Sequence, residues 1–585
     1  MKKYGWRRTA AAAGLAACLL AGTALGAGAR AGETSSYTPV TQQRLENPEP
    51  GNWLLYRRTY DGHGFSPLDQ VNSGNVRHLV PAWTFATGVN DGHEAPPMVN
   101  NGVMFVATPQ GQVIALDAKS GDLIWRYKRQ LPDDLFQLHP TSRGVALWQD
   151  RVFLATTDDY LVALDAKTGH ELWSKKVQDF RRGQYMTLEP LVVNGKVMVG
   201  GSGGEFGVRG YVAAFDANDG HELWRTFTIP APGEPGSNTW PQNDAWKTGG
   251  GSVWMTGNYD PKRKLAYWGV GNASPWPGDA RPGDNLYTSS VIALDPETGK
   301  MAAFHQYHWN DSWDWDEVDP PMLVDLKGAD GKMVPSLVHP GRDGYLWVLR
   351  QTDEGIQFVS GRPFVTQNAF TGIDPNTGRP SYNLAHKPAY ATPQTDFCPS
   401  LWGGKDWPSA AYSTQSNLLY IPANNNMCGK LTSVHADYKP GQLYLGADIA
   451  KLDLVVDGAD HIGELQAWDV AAGKMVWKHD FAKSQLFGSV LATAGNLVFA
   501  GGTNDRFFRA FDAKTGEVLW QQRTNSGIMG MPVAYEVDGT EYVAIQSGWG
   551  VDAQRIQDSL FKAHFLTDPD VPQGGVVWVF ALPKE

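Results

Sequence analysis

The stretch ALDAKSGDLIW, residues 115–125, decides the fold because it does not occur only once. It returns as ALDAKTGHELW from Ala163, AFDANDGHELW from Ala214, ALDPETGKMAAF from Ala293, AWDVAAGKMVW from Ala467 and AFDAKTGEVLW from Ala510. Each copy reads as a strand, a turn carrying Asp and Gly, and a second strand with an aromatic at a fixed offset, which is a β-hairpin. The Asp positions, 117, 165, 216, 295, 469 and 512, are separated by 48, 51, 79, 174 and 43 residues. A base period of about 45–50 residues with four strands per unit predicts an all-β protein, a β-propeller whose repeated Trp packs between blades. The long gaps then hold degenerate units, such as GYLWVLRQTDEG from Gly344, or insertions, and filling them brings the count to about eight blades. Residues 81–87 and 575–582 are suited to pair in the blade that closes the ring.

Composition agrees with this reading. At 585 residues the chain exceeds one ordinary core, and 65 Gly and 23 Trp with only 19% charged residues favour short strands and tight turns over helices. Residues 230–290 and 304–465 depart from the repeat and are rich in Pro, Gly and Trp. Insertions in propellers collect on one face, commonly the binding face.

The first residues read separately. Lys2, Lys3, Arg7 and Arg8 precede an Ala-rich apolar run and small residues at 27–31, the pattern of a signal peptide over residues 1–31, exported by the Sec or the twin-arginine route. The run is short and broken by Gly, so no membrane anchor is expected after processing, and residues 32–585 form the single propeller domain in the periplasm. Loss of five cations and no acid takes the formal charge from −11 to −16. Such a surface is a poor partner for nucleic acid and a reasonable one for a basic protein. Cys18 leaves with the leader, and Cys398 and Cys428 most simply form one disulfide in an exported protein. The chain has no Cys-x-x-Cys-His, which excludes covalently attached haem.

Residues 310–316, NDSWDWD, carry three carboxylates and two indoles. An acidic solvated loop is the plain reading. In an extended segment, however, Asp314 and Asp316 point to the same side and repel each other unless a cation lies between them. Glu205, in GSGGEFGVRG (201–210), and Asn272, in GVGNASPW (269–276), sit in turns and add hard oxygen donors of the kind that suit calcium.

With GGGSVW (249–254) and RPGDN (281–285), these motifs resemble, in order and over nearly the whole mature chain, the quinoprotein alcohol dehydrogenases. That family consists of exported eight-bladed propellers using pyrroloquinoline quinone, PQQ. The resemblance implies that Glu205, Asn272 and Asp314 hold the metal, that Asp314 is also the general base, and that Trp254 lies under the quinone. It places Arg342 near the reactive carbonyl. Glu94 and Arg143 bind the cofactor's carboxylates and ring edge, and Thr156, Ser202 and Gly203 make further polar contacts. Asp406 and Trp407 line the pocket, and Cys398 and Cys428 match a family disulfide. The expected reaction is oxidation of an alcohol by hydride transfer to PQQ, with electrons passing to a soluble cytochrome c.

Two departures stand out. Many relatives carry adjacent cysteines whose ring disulfide covers one face of PQQ, and by register these positions are Gln137 and Leu138 here. Methanol and ethanol are therefore not carried over as substrates, and a larger or secondary alcohol is expected. Asp316 resembles the added carboxylate of the lanthanide-dependent branch, so the metal is a lanthanide(III) ion or calcium. A sugar or sugar-alcohol dehydrogenase on the same fold is the nearest alternative. A non-catalytic propeller scaffold is the remote one, since it needs neither the long insertions nor Glu205, Asn272, Trp254 and Asp314 together.

Overall fold

In a computed structural model of the chain, which describes residues 37–328, 331–448, 453–566 and 571–583, every copy of the repeat forms the hairpin expected of it. The turn is set by the repeated Asp: Asp117 Oδ1 accepts from the backbone N–H groups of Lys119 and Ser120, at 2.9 and 2.8 Å, which closes the loop locally. The repeated Gly has a second job. Gly169 has φ +72°, and a Cβ there would lie 2.5 Å from the Trp125 ring of the preceding unit. Trp125 Nε1 then donates to Ala166 O at 3.0 Å. Gly121 lies in the same way against Trp83, Gly299 against Trp224 and Gly516 against Trp477. Glycine is needed here both for the left-handed backbone and for the room the indole takes.

Each hairpin belongs to a sheet with four antiparallel strands, the first being Met98–Asn100, Val103–Thr108, Gln112–Asp117 and Leu123–Lys128, and the sheet over 490–523 gains a fifth strand, Phe65–Ser66, paired parallel. Further sheets follow over 146–176, 191–227, 258–306, 322–363, 411–482 and 490–523. Inner strands are buried on both faces, whereas the outermost, such as Leu123–Lys128, alternates between exposed and covered residues. The last sheet joins the chain ends: Val80–Ala86 pairs antiparallel with Val576–Ala581, beside Thr540–Ser547 and Val533–Val537. This pairing is the closure that the sequence suggests, and it leaves no open seam between the two ends of the sheet series.

The irregular stretches divide in two. Residues 258–306 and 322–363 are regular four-stranded sheets whose repeat has decayed in sequence, so 230–290 and 304–465 are only partly insertions. The true additions include the hairpin Phe370–Ile373 with Pro380–Tyr382 and a side sheet built on Gln394–Phe397 and Met427–Ser433. Cys398 and Cys428 are joined there as a disulfide. Among the described residues two α-helices lie outside the all-β reading, the five-residue Gln42–Glu46 and the longer Val551–Lys562. Among the described residues no helix is long and apolar enough to cross a membrane, and the leader expected at 1–31 lies outside the described residues.

Candidate functional site

Residues 310–316 are not a solvated loop. Asp311, Ser312, Trp313 and Trp315 are fully buried, and Asp314 and Asp316 are 7% and 6% exposed. The reason is visible in the indoles, which stack at 4.7 Å and donate outward, Trp313 Nε1 to His386 O at 2.7 Å and Trp315 Nε1 to Ser400 O at 2.9 Å. They pin the segment under the additions that carry His386 and Ser400. The segment is also not extended, because Asp314 has φ +66°. Asp311 Oδ2 holds that backbone by accepting from the N–H groups of Trp313 and Asp314, at 3.2 and 3.1 Å.

Asp314 and Asp316 still meet at one cavity of about 420 Å³, reached by separate routes. Glu205 enters it from a single 3₁₀ turn between Gly203 and Gly207, both with positive φ. Asn272 lies just behind: its Nδ2 donates to Asp314 Oδ1 at 2.8 Å and its backbone N–H to Asp316 Oδ1 at 2.6 Å. Trp254 lines the cavity and donates from Nε1 to Asp316 Oδ2 at 2.7 Å. Arg342 faces them, with Nη1 3.3 Å from Asp406 Oδ1 and 3.8 Å from Asp316 Oδ2, while its Nε donates to Leu401 O at 2.8 Å. Trp407, buried beside Asp406, donates its backbone N–H to Asp406 Oδ1 at 2.7 Å.

On the other side Arg143 lies 4.7 Å from the Trp254 ring centre and 5.0 Å from that of Trp407. It donates to Thr187 Oγ1 at 2.6 Å and stands 3.0 Å from Glu94 Oε2. Arg143 Nε and Glu94 Oε1 have no hydrogen-bond partner although they are buried, and Glu94 Oε2 has only its ion pair with Arg143. Ser202 and Gly203 line the cavity. Thr156 does not: its hydroxyl is taken by Asp158 Oδ1 at 2.6 Å, and Thr187 supplies a hydroxyl at the wall instead.

The electrostatics are unbalanced. Burial pushes the Asp314 carboxyl well above its usual range, against the pull of Arg342 and with Asp316 and Glu205 adding to the rise. Burial raises Asp316 to about 7 despite Arg342. Glu94 also rises to about 7, through burial that Arg143 only partly offsets. Three carboxylates with one amide oxygen behind them call for a large hard cation. The aromatic walls, and the unsatisfied polar atoms of Arg143 and Glu94 beside them, suit a flat ligand with charged edges. The residues therefore fit both groups that the sequence implies.

Of the two positions that register sets over the cofactor face, one reaches the wall, and other parts of that wall were not legible in the sequence. Leu138 lines it where the adjacent cysteines were absent, and Gln137 instead accepts from Thr157 Oγ1 at 2.8 Å. The helix Val551–Lys562 closes this side: Asp552 is 3.4 Å from His139 Nε2, and Arg555 donates to Leu138 O at 2.5 Å. Its apolar residues Ala553, Ile556 and Leu560 have helical spacing, a signal hidden by the β pattern around it. Leu443 and Leu445 come from the additions and were equally unmarked.

Fold and site together define a propeller built to hold a flat anionic cofactor against a metal. The family profile described as PQQ glucose/ethanol/alcohol dehydrogenase, beta-propeller domain, matches residues 53–372 and 481–543. The quinoprotein alcohol dehydrogenase PedH of Pseudomonas putida is 37% identical over 90% of this chain and 90% of its own. A lanthanide-dependent methanol dehydrogenase of Methylacidiphilum fumariolicum is 37% identical, over 86% of this chain and 85% of its own. Among solved structures, a europium-containing methanol dehydrogenase superposes with a TM-score of 0.86 at 35% identity, covering 92% of this chain and all of that one. The chain belongs to the family of PQQ-dependent, or quinoprotein, alcohol dehydrogenases.

Proposed function

We propose that the protein oxidises a larger or secondary alcohol to the carbonyl, using PQQ and one calcium or lanthanide(III) ion, and passes the electrons to a soluble cytochrome c. The observation that carries this is that Asp314, Asp316 and Glu205 share one cavity with Arg342, while Asn272 stands behind them bonded to both aspartates. Glu205, Asn272 and Asp314 would hold the metal, with Asp316 able to add a carboxylate if the ion is trivalent. When bound, the quinone supplies the hydride acceptor and the cation the Lewis acid.

The chain's own residues do the rest. Asp314 takes the hydroxyl proton as the C–H hydride leaves; burial alone pushes its carboxyl toward the neutral form, and a cation held by these residues would favour the ionised form that acts as a base. Arg342, locked by Asp406 and Leu401 O, places a fixed positive charge at the reacting edge. Trp254 offers a flat floor whose tilt is set by its bond to Asp316. Leu138, Leu401, Trp402 and Leu445 give the wall an apolar part, beside the polar residues Asp552, Arg555 and Asp558 of the helix, and that apolar part favours a substrate with a hydrocarbon body over methanol.

Eight blades and a single domain over 32–585 are supported by the run of four-stranded sheets that ends by pairing residues 80–86 with 576–581. Export by a leader at 1–31, through the Sec or twin-arginine route to the periplasm, is supported by the sequence of that segment.

The test is dye-linked oxidation of an alcohol series by processed protein reconstituted with PQQ and with calcium or lanthanum in parallel. Turnover rising from methanol to longer or secondary alcohols is expected. Faster turnover of sugars would favour the sugar-dehydrogenase reading, and failure to bind PQQ would sink the proposal. Asp314→Asn should keep PQQ bound while lowering kcat by about 10²–10⁴-fold, the usual share of a general base.

A further inference from the structure

Behind the cavity lies a second ionic cluster, which the reaction as described does not use. His308, Asp311 and Glu317 are fully buried and Asp343 is 1% exposed. His308 Nε2 is 3.1 Å from Asp311 Oδ1, and its Nδ1 is 3.7 Å from Glu317 Oε1 and 3.6 Å from Asp343 Oδ2. Among the described residues, the side-chain ion pairs of these three acids are with His308 and His339 alone.

What each acid does on its far side gives the cluster meaning. Asp311 holds the backbone of Trp313 and Asp314 and so fixes the left-handed turn that presents the base. Glu317 does the same for the facing loop: Oε2 accepts from Arg342 N at 3.1 Å and Oε1 from Asp343 N at 3.0 Å. His308 stands between the two. Resting on the reading of Asp314 and Arg342 given above, the geometry points to His308 as a positioning residue. It is a buried cation that clamps the loop of Asp314 to the loop of Arg342 and sets the distance between base and guanidinium.

Three arguments support the clamp. Buried carboxylates need a counter-charge, and the imidazole is the group placed between all three. Burial opposes a charged ring, but the bond to Asp311 and the negative charges of Asp343 and Glu317 outweigh it and raise His308 to about 10. Finally, each loop hangs from its own acid by backbone hydrogen bonds, and the imidazole is the group that stands between Asp311 and Glu317, so without the ring the spacing of the two acids, and of the backbones they hold, is no longer fixed.

The experiment compares holoenzyme of wild type, His308→Gln and the double variant His308→Gln with Asp343→Asn, which removes the surplus negative charge without touching Asp311 or Glu317. Readouts are PQQ and metal content, Tm, kcat and KM, and amide exchange over 310–318 and 340–344 with and without cofactor. In His308→Gln we expect full PQQ content, KM within threefold, kcat down by about 10²-fold as for a misplacement near 1 Å, and faster exchange in both segments even without cofactor. The double variant should regain Tm while kcat stays low.

Recovery of kcat in the double variant would reduce His308 to charge balance and overturn the clamp, as would unchanged exchange in both segments. An extra equivalent of transition metal in the wild type, lost in His308→Gln, would make His308 a ligand instead. If the single variant does not accumulate, the double variant decides alone. Because exchange is read without turnover, failure of the clamp is distinguishable from failure of the proposed alcohol oxidation, which shows in the wild type.

Discussion

Gly271→Ala places a methyl group where the site has no room for one. Gly271 is not in the left-handed region, so alanine strains no backbone there and acts through its Cβ. That Cβ would lie 2.1 Å from Asp316 Oδ1 and 3.0 Å from both Asp316 Cγ and Ser252 Oγ. The carboxylate must retreat by about 1 Å to reach ordinary contact. It cannot then keep both of its short bonds, from Asn272 N at 2.6 Å and Trp254 Nε1 at 2.7 Å. Each hydrogen bond to a charged group is worth about 1.5–3 kcal/mol, and their loss tilts the Trp254 floor as well as moving an acid of the proposed metal site. A displacement of this size should lower kcat by about 10²-fold. The assay is steady-state turnover with an artificial acceptor, with metal affinity measured by titration, for Gly271→Ala, Asp316→Ala and the pair. If the effect runs through Asp316, the methyl costs nothing further once that side chain is gone, so the pair should match Asp316→Ala within threefold. An equal loss from the methyl in both backgrounds, or no loss in either, would refute the reasoning.

Glu205→Ala should weaken metal binding at least tenfold with little change in Tm of the metal-free protein, measured by titration after chelator treatment; full activity at trace metal would remove Glu205 from the ligands. Replacing both cysteines, Cys398→Ser with Cys428→Ser, opens a loop of 30 residues and should cost about 3–4 kcal/mol in urea unfolding, with the Leu401–Trp402 wall next to it loosening first. The contact between His139 and Asp552 should make the helix Val551–Lys562 pH-sensitive. Burial opposes its charge, yet Asp552 raises His139 above 6.5, so this contribution is complete below pH 6.5 and fades as pH climbs through the higher folded value. Asp552 is held low mainly by His139 in spite of burial, so its share is lost only in strong acid. Hydrogen exchange in the helix, corrected for intrinsic rate, should therefore speed up in alkaline but not in mildly acidic buffer.

The blades were legible because each hairpin carries its own instructions. Asp closes its own turn, as Asp117 does for Lys119 and Ser120, and the next unit's Gly makes room for the Trp, as Gly169 does for Trp125. These are contacts between close or regularly spaced residues, so they leave a period in the text. Where the period decays, as over 322–363, the four-stranded sheet persists and its inner strands show only continuous buried runs. The candidate site was legible as a set of residue types and a family likeness. The burial of 310–316 and the φ of +66° at Asp314 were not, since both depend on anchors such as His386 and Ser400 far along the chain.

The sequence by itself thus determined a closed series of Trp-anchored sheets and the donors available to a metal and a flat cofactor, because turn chemistry and side-chain type are local properties. Only the tertiary structure decided that Leu138, Asp314, Arg342 and Asp552 face one cavity, that Thr187 rather than Thr156 lines it, and that a helix stands where the paired cysteines were missing. Those outcomes depend on which distant groups are buried together, and burial is what turns a run of ordinary aspartates into carboxyls that need a cation.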